Sequence, residues 1–177
     1  MSELRTAHTS ELDSATLGAT RALLDVVFDD YFSDDDWEHA LGGVHVLVWE
    51  GDELIGHASV VQRRLLHGGS ALRCGYVEAV GVRANRRRRG HGSAIMEAVE
   101  RVVHGAYLLG ALVASGEGAA FYAARGWQRW RGPTSTLTPT GIERTQEHDG
   151  EIYVLPVAAP LDLSGELTCD WRDGDVW

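Results

Sequence analysis

Four consecutive arginines, Arg86 to Arg89, stand directly before a Gly-His-Gly-Ser stretch that opens an amphipathic segment. Glycine lets the main chain approach a ligand closely, and the first turn of a helix leaves N–H groups unpaired at its positive dipole end. The combination predicts a site for the pyrophosphate of a small ligand. The candidate residues of this site are Val80, Gly81, Val82, Arg87, Arg88, Arg89, Gly90, His91, Gly92 and Ser93.

A nucleic-acid patch is the competing interpretation of the arginine run. The run is short and contains no aromatic residue, and the chain as a whole carries a formal net charge of −10 at pH 7. An acidic protein repels nucleic acid at long range, so we expect no nucleic-acid partner.

Acidic residues concentrate in two places outside the predicted core elements. Asp34, Asp35 and Asp36 precede Trp37, and Asp170, Asp173 and Asp175 lie near the C-terminus. Acidic runs are commonly solvated surface, but this balance also suits a cationic ligand. A further carboxylate, Glu78, lies among apolar neighbours on its own face of a predicted strand.

Cys74 and Cys169 are the two cysteines, and their separation fits neither a zinc site nor a redox motif. We interpret both as buried small apolar residues and expect no metal. The length predicts one domain, residues 1–177. No signal peptide and no apolar run long enough to span a bilayer is found, so we expect a soluble cytoplasmic protein without a membrane partner.

The hydrophobic pattern predicts helices, an antiparallel run, and then alternating strands and helices. The helices are expected after Ser14, around "DDDWEHAL", over "GHGSAIMEAVERVVHGAY" and over "EGAAFYAARG". Strands are expected at "VHVLVWE", "ELIGHASVVQRRLL", "ALRCGYVEAVGVR", "YLLGALVA" and "WQRWRG". This order predicts an α/β fold with a mixed sheet.

Two motifs resemble the GCN5-related N-acetyltransferase (GNAT) superfamily. Arg87, three residues before Gly90-His91-Gly92, resembles its R/Q-x-x-G-x-G/A coenzyme A signature, and "GAAFYAARGW" resembles its later tyrosine-bearing helix. The resemblance implies a single GNAT domain with a mostly antiparallel sheet, splayed at the coenzyme A site and flanked by helices. Acetyl-CoA is then the co-substrate.

A closer resemblance covers nearly the whole chain. The segments "DWEHALGG", "ALRCGYVEAVGVR", "YAARGWQRWRGPTS" and "LTCDWRDGDVW" are similar to the aminoglycoside 2′-N-acetyltransferases of actinomycetes. That family implies acetylation of the 2′-amine of a cationic aminoglycoside, antibiotic resistance and a homodimer. A metabolic amine as acceptor, or a module that binds without turnover, are the alternatives.

The resemblance also implies roles for individual residues. Asp36, Asp175 and the carboxylate of Trp177 map to antibiotic ligands. Tyr31 stands where another acid is expected, so Asp30 is the substitute after a one-residue shift. Near "TQEHDGE" the ligand is Asp149, or His148 replaces it. Val113 stands where the family often has serine, with Ser115 nearby.

Glu78 and Tyr122 are the predicted catalytic residues. Glu78, also a candidate substrate ligand, is expected to take the proton of the attacking amine through water. Tyr122 is placed by the superfamily pattern to protonate the departing thiolate. Main-chain groups near Val80 and Val82 are expected to polarise the thioester oxygen. The rival mechanism is a ping-pong route through Cys74.

Overall fold

A computed structural model describes residues 1–114 and 116–177; Ser115 lies outside them. The described residues form ten strands, four α-helices and three short 3₁₀ helices. In chain order the strands and α-helices are β1 (Ser2–His8), α1 (Ser14–Val27), α2 (Asp34–Ala40), β2 (Val44–Glu50), β3 (Glu53–His67), β4 (Ser70–Val82), α3 (His91–Ala106), β5 (Leu109–Val113), α4 (Glu117–Ala124), β6 (Gln128–Arg129), β7 (Thr134–Thr138), β8 (Gly141–Arg144), β9 (Ile152–Pro156) and β10 (Leu167–Asp170).

Two units divide the chain, and the long strands β3 and β4 contribute residues to both. The first unit holds residues 1–61 and 77–102, and the second holds residues 62–76 and 103–177. Each unit therefore draws on two separate stretches of sequence. The prediction of one domain over residues 1–177 stays a prediction.

The first unit is built on an antiparallel run in which β1 pairs with β2 and β2 with β3. The β2–β3 hairpin turns at Gly51, where φ is +61°, a conformation that suits glycine. Strand β1 was not predicted from the sequence. Its residues are mostly exposed and carry little apolar alternation, because it pairs only with β2 at the edge of the run.

Helix α1 packs its apolar face into the first unit, where Leu23 joins a cluster with Leu12, Leu47 and Leu54. The predicted cap at Ser14 is wrong by one residue. Asp13 is the N-cap, since its carboxylate accepts the Thr16 N–H at 2.8 Å. The apolar face of α3 consists of Ile95, Met96, Val99 and Val103, all fully buried, together with half-buried Val102.

The second unit has the strand order β6-β9-β5-β4-β3-β10-β7-β8. Two strand pairs are parallel, β4 with β5 and β7 with β10. Four pairs are antiparallel: β3 with β10, β5 with β9, β6 with β9, and β7 with β8. The expected mixed, mostly antiparallel sheet is thus confirmed. Helix α4 ends at Ala124 with Arg125 as its C-cap, and Gly126 follows with φ +91°.

The β4–β5 pairing is short compared with the length of β4. It covers Cys74–Tyr76 against Leu109–Ala111, whereas β5 pairs with β9 along all of its five residues. Close packing supports this region, because a Cβ on Gly110 would lie 2.9 Å from the Trp127 ring. Trp127 is almost fully buried.

Candidate active site

The loop between β4 and α3 brings the predicted pyrophosphate residues into one continuous stretch. Gly90 has φ +87°, and the first helical hydrogen bond runs from the Ala94 N–H to the Gly90 carbonyl at 3.0 Å. The N–H groups of His91, Gly92 and Ser93 therefore precede the first hydrogen-bonded turn of α3. This arrangement provides the unpaired donors and positive dipole end that an anion requires.

The four arginines of this loop divide into two kinds. Arg86 makes an ion pair with Glu50, Nε to Oε2 at 2.6 Å, which ties the loop to the β2–β3 hairpin. This contact with Arg86 also lowers the pKa of Glu50. Arg87 donates from Nε to the Val82 carbonyl at 3.1 Å, and Arg88 and Arg89 are exposed. The predicted ligands Arg87 to Arg89 are the arginines that keep guanidinium groups toward solvent.

Gly81, a residue of the predicted coenzyme A site, is also required by the packing of α1 against β4. A Cβ at this position would lie 2.8 Å from Cγ1 of Val27 on α1. Close approach of helix and strand therefore requires glycine here. Val80 and Val82, on either side, are half-buried.

Glu78 is half-buried on β4, next to a residue with unusual backbone geometry. Ala79 has φ +51°, in the left-handed region that a residue with a Cβ disfavours by about 1–2 kcal/mol. Contacts elsewhere must hold this conformation. One of them is the hydrogen bond from His57 Nδ1 to the Ala79 carbonyl, 2.9 Å long.

Tyr122 lies on α4 in the second unit, whereas Glu78 belongs to the first. Its ring packs against Phe121 and Trp127, with ring centroids 5.2 and 6.2 Å away. Burial raises the pKa of Tyr122 to about 12, so the hydroxyl keeps its proton through the neutral range. A protonated tyrosine is what a general acid requires.

Asp30 and Asp36, the predicted acids of the first unit, are placed by helix ends. Asp30 has φ +62°, and its N–H bonds to the Asp25 carbonyl at 2.9 Å, which closes the last turn of α1. Asp36 completes a capping box at the start of α2, where Oδ2 accepts from the N–H and hydroxyl of Ser33, both at 2.8 Å. Asp30 is exposed and Asp36 half-buried.

The last residues of the chain are held by arginine and tryptophan contacts. Arg172 donates to the main-chain oxygens of Asp175 and Trp177, each at 2.8 Å. The Trp177 side chain is only 3 % exposed, and its Nε1–H donates to Thr145 Oγ1 at 2.8 Å. Residues near a chain end usually fray, so this anchoring is a distinct feature of the second unit.

Arg63 fastens the same segment from β3. Its side chain is 4 % exposed and donates to Oδ1 of Asp170 at 2.7 Å and to the Val176 carbonyl at 2.7 Å. Its guanidinium lies over the Tyr76 ring, 4.7 Å from the centroid, and that of Arg172 lies 5.4 Å from the same centroid. Sequence reasoning missed Arg63, whose only signal was an arginine inside an apolar strand.

Asp149 and His148 occupy the place where the family resemblance left two choices. The Asp149 carboxylate accepts from the Thr134 N–H at 2.9 Å and hydroxyl at 3.0 Å, and it pairs with Arg144 at 2.7 Å. Arg144 lowers the pKa of Asp149 to about 2. His148 instead lies against a predicted substrate ligand, with Nε2 3.1 Å from Oδ1 of Asp175.

Cys74 and Cys169 are both free and fully buried. Burial raises the pKa of the Cys74 thiol far above its ordinary value and also raises that of Cys169. Neither meets the need of a nucleophile for an accessible thiolate. Among residues 1–114 and 116–177, no group of three or more His, Cys, Asp or Glu side chains is arranged to hold a metal ion. Within that same part of the chain, no helix is long and apolar enough to cross a membrane.

Comparison with known proteins decides the family. Residues 4–130 match the model of the acetyltransferase (GNAT) domain. Over 177 residues the chain is 54 % identical to an aminoglycoside 2′-N-acetyltransferase of Mycolicibacterium fortuitum, covering 98 % of this chain and 91 % of that protein. The chain belongs to the aminoglycoside 2′-N-acetyltransferase family of GNAT enzymes. The resemblance drawn from its motifs is thereby confirmed.

Solved structures agree with the GNAT fold of this acetyltransferase. A GNAT family acetyltransferase from Brucella melitensis, crystallised with acetyl-CoA, matches with a TM-score of 0.63 at 13 % identity, covering 94 % of each chain. Eis1 from Mycobacterium abscessus matches with a TM-score of 0.62 at 20 % identity and 76 % coverage of this chain. The chain spans about a third of the length of that second protein, 33 %.

Proposed function

We propose that this protein transfers the acetyl group of acetyl-CoA directly to the 2′-amino group of aminoglycoside antibiotics, in a ternary complex. The observation that carries the proposal is the 54 % identity, along nearly the whole chain, to a protein named for this activity. Resistance to these antibiotics is the physiological consequence. A cytoplasmic location and a homodimer complete the proposal, on family resemblance alone.

In the proposed reaction, the neutral 2′-amine attacks the thioester carbonyl. The C–N bond forms, the C–S bond breaks, Glu78 receives the amine proton through water, and Tyr122 gives a proton to the departing thiolate. The raised pKa of Tyr122, about 12, keeps that proton available. Main-chain N–H groups at Val80 and Val82 stabilise the oxyanion of the tetrahedral intermediate.

Binding of the two substrates divides between the acidic and the basic residues. The pyrophosphate of acetyl-CoA is held at Arg87 to Ser93, where exposed guanidiniums precede the N–H groups of α3. The polycationic aminoglycoside is held by carboxylates. We assign these to Asp30, Asp36, Glu78, Asp149, Asp175 and Trp177, with Asp149 the weakest member because Arg144 already neutralises it.

The first test is thiol release from acetyl-CoA by the purified protein. Tobramycin, which has a 2′-amine, should support turnover, and amikacin, which has a hydroxyl at that position, should not. Release with both would contradict the regiochemistry. Binding of acetyl-CoA without release would mean that the acceptor is another amine.

The role of Glu78 is tested by Glu78→Gln, with the exposed Glu97→Gln on α3 as the matched control. Glu78→Gln should lower the rate most at low pH, where little free amine exists, and an unchanged pH–rate profile would remove Glu78 as the base. Cys74→Ser should keep normal turnover with tobramycin. A large loss would revive the ping-pong route.

A further inference from the structure

Two buried histidines in the first unit join neighbouring strands. His45 on β2 and His57 on β3 are both fully buried, and His45 Nδ1 lies 2.9 Å from His57 Nε2. Leu47 pairs with His57 in the β2–β3 register, so His45 is the diagonal neighbour of His57 on the same face. The mechanism proposed above uses neither histidine.

Hydrogen bonds extend this pair in both directions. On one side, His45 Nε2 lies 2.8 Å from Thr9 Oγ1, which in turn accepts from the Gly42 N–H at 2.9 Å. On the other side, His57 Nδ1 lies 2.9 Å from the Ala79 carbonyl oxygen. We call this series, from Gly42 through Thr9, His45 and His57 to Ala79, the histidine chain.

For two neutral imidazoles, the Ala79 end of the histidine chain fixes which nitrogen of each ring carries the proton. The Ala79 carbonyl can only accept, so His57 carries its proton on Nδ1 and its Nε2 accepts. A neutral His45 then donates from Nδ1 and accepts at Nε2 from the Thr9 hydroxyl, 2.8 Å away; the Gly43 carbonyl is a more distant acceptor for the same hydroxyl, at 3.3 Å. The Gly42 N–H can only donate, which agrees with Thr9 as its acceptor. Burial lowers the pKa values of both histidines, to about 4 for His45 and about 3 for His57, so both are neutral at pH 7 and the geometry makes each an Nδ1–H tautomer.

The acceptor of the histidine chain is the strained residue of β4. Ala79 has φ +51°, follows the candidate base Glu78 and precedes Val80. Its carbonyl and the Val80 N–H belong to one planar, trans peptide unit, so the two groups point in opposite directions. Holding the Ala79 oxygen toward His57 therefore fixes the direction of the Val80 N–H, the group assigned above to the thioester oxygen.

We propose that His57, oriented through His45 and Thr9, is a positioning residue that clamps the Ala79–Val80 peptide and so aims the Val80 N–H at the reacting carbonyl. This inference rests on the proposed acetyl transfer. Donors aimed at a developing oxyanion act by preorganisation, so a change in their direction costs rate more than ground-state binding.

Steady-state kinetics of four variants test the proposal. His57→Leu removes the donor to Ala79 and should lower kcat about 30-fold, with both KM values within about threefold. This is less than the roughly 100- to 1,000-fold loss when an oxyanion donor is removed, because the Val80 N–H is misaimed rather than absent. His57→Asn keeps an N–H near the position of Nδ1 and should recover most of that loss. Thr9→Val, at the far end, should lower kcat only a few-fold.

Ser59→Ala is the matched control. Ser59 lies two residues beyond His57 on β3, is fully buried, and its hydroxyl has no hydrogen-bond partner among the described residues. The kcat of the Ser59→Ala variant should stay at the wild-type value. Equal losses in His57→Leu and Ser59→Ala, or a destabilised His57→Leu with unchanged kcat, would overturn the positioning role.

A second readout does not depend on turnover. Nitrogen-15 NMR of the wild-type protein should show His45 and His57 as neutral Nδ1–H tautomers, and the crystal structure of His57→Asn should retain a positive φ at Ala79. Nε2–H tautomers would overturn the histidine chain itself, even if His57→Leu does not fold. If both histidines are Nδ1–H tautomers but the protein transfers no acetyl group, the proposed function and the catalytic role of His57 are overturned. The hydrogen bond from His57 to the Ala79 carbonyl would still stand.

Discussion

Each unit contains a series of hydrogen-bonded side chains, the histidine chain in the first unit and another series in the second, and the two differ in chemistry. In the second unit, the Trp177 indole donates to Thr145, whose hydroxyl donates to that of Thr134 at 2.9 Å. The Thr134 hydroxyl lies 2.9 Å from the Thr145 carbonyl and 3.0 Å from Oδ1 of Asp149. We call this the indole chain. It ends on a charged group, whereas the histidine chain ends on a carbonyl.

The two series therefore depend on different protonation states. The histidine chain needs two neutral imidazoles, so acid disrupts it. The indole chain needs an ionised carboxylate, and Arg144 keeps Asp149 ionised to low pH. The strained strand β4 is therefore supported by groups that are sensitive to mild acid. The C-terminal residues are supported by groups that keep their charge at low pH.

The largest expected effect is the loss of stability on mild acidification. Both histidines have pKa values below the ordinary 6.5, so the unfolded state binds more protons between pH 6.5 and about 4. Stability is thus complete above pH 6.5, and the free energy of unfolding falls by about 1.4 kcal/mol per pH unit for each histidine below it.

Urea unfolding at a series of pH values measures this slope. The double variant His45→Gln/His57→Asn should flatten it between pH 4.5 and 6.5, at the cost of lower stability at pH 7. Asp149→Asn, in the indole chain, should leave the slope in this window unchanged. A wild-type slope that survives in the double variant would show that other groups cause it.

Asp149→Ala should have the next largest effect, because hydrogen bonds to a charged acceptor are lost. The Asp149 side chain is 35 % exposed, so solvent screening limits the loss to about 1.5 kcal/mol at pH 7. The pKa of Asp149 is lowered from 3.8 to about 2, so this stabilisation is present above pH 4 and lost as pH falls toward 2. Unfolding curves of wild type and variant should therefore converge in acid. The exposed Glu147→Ala serves as control, and a constant difference down to pH 2 would contradict the assignment.

Thr145→Val should cost about 1 kcal/mol, since it leaves the buried Trp177 indole N–H without its acceptor. Combined with Trp177→Phe in a double-mutant cycle, the two losses should not add, because both remove the same hydrogen bond. Full additivity would mean that the indole chain is not a unit.

His148→Ala should have the smallest effect. It removes the imidazole 3.1 Å from Oδ1 of Asp175, which under the proposed function leaves that carboxylate to the cationic substrate. We expect the aminoglycoside KM to fall by up to about threefold at unchanged kcat, the scale of a single weak polar contact. A raised KM would assign His148 a direct part in binding.

The elements that carry strong periodicity were predictable from the sequence, and the contacts between them were not. Helix α3 and the β2–β3 hairpin follow from apolar spacing and from a Gly-Asp turn. The edge strand β1 lacks such a pattern. The placement of His57 against Ala79 depends on a cross-strand register and a left-handed backbone residue, neither of which leaves a local signal beyond a histidine inside an apolar strand.

The residue types of the candidate ligands could be predicted from the sequence, but their other contacts could not. Asp36 and Asp149 are acids in the expected segments, yet one closes a capping box and the other ends the indole chain. A sequence shows that a carboxylate is present. Only tertiary contacts show whether its charge is already neutralised by an arginine such as Arg144.

The division of the arginine run has a consequence for the kinetics of encounter. The charge of Arg86 is cancelled by Glu50, so a polyanion approaching from solution meets mainly the field of the exposed Arg87, Arg88 and Arg89. On a protein of net charge −10, that local field offsets a long-range repulsion. Under the proposed function, the association rate of acetyl-CoA should therefore depend on ionic strength through those three side chains, and its dissociation rate should depend on the N–H groups of α3.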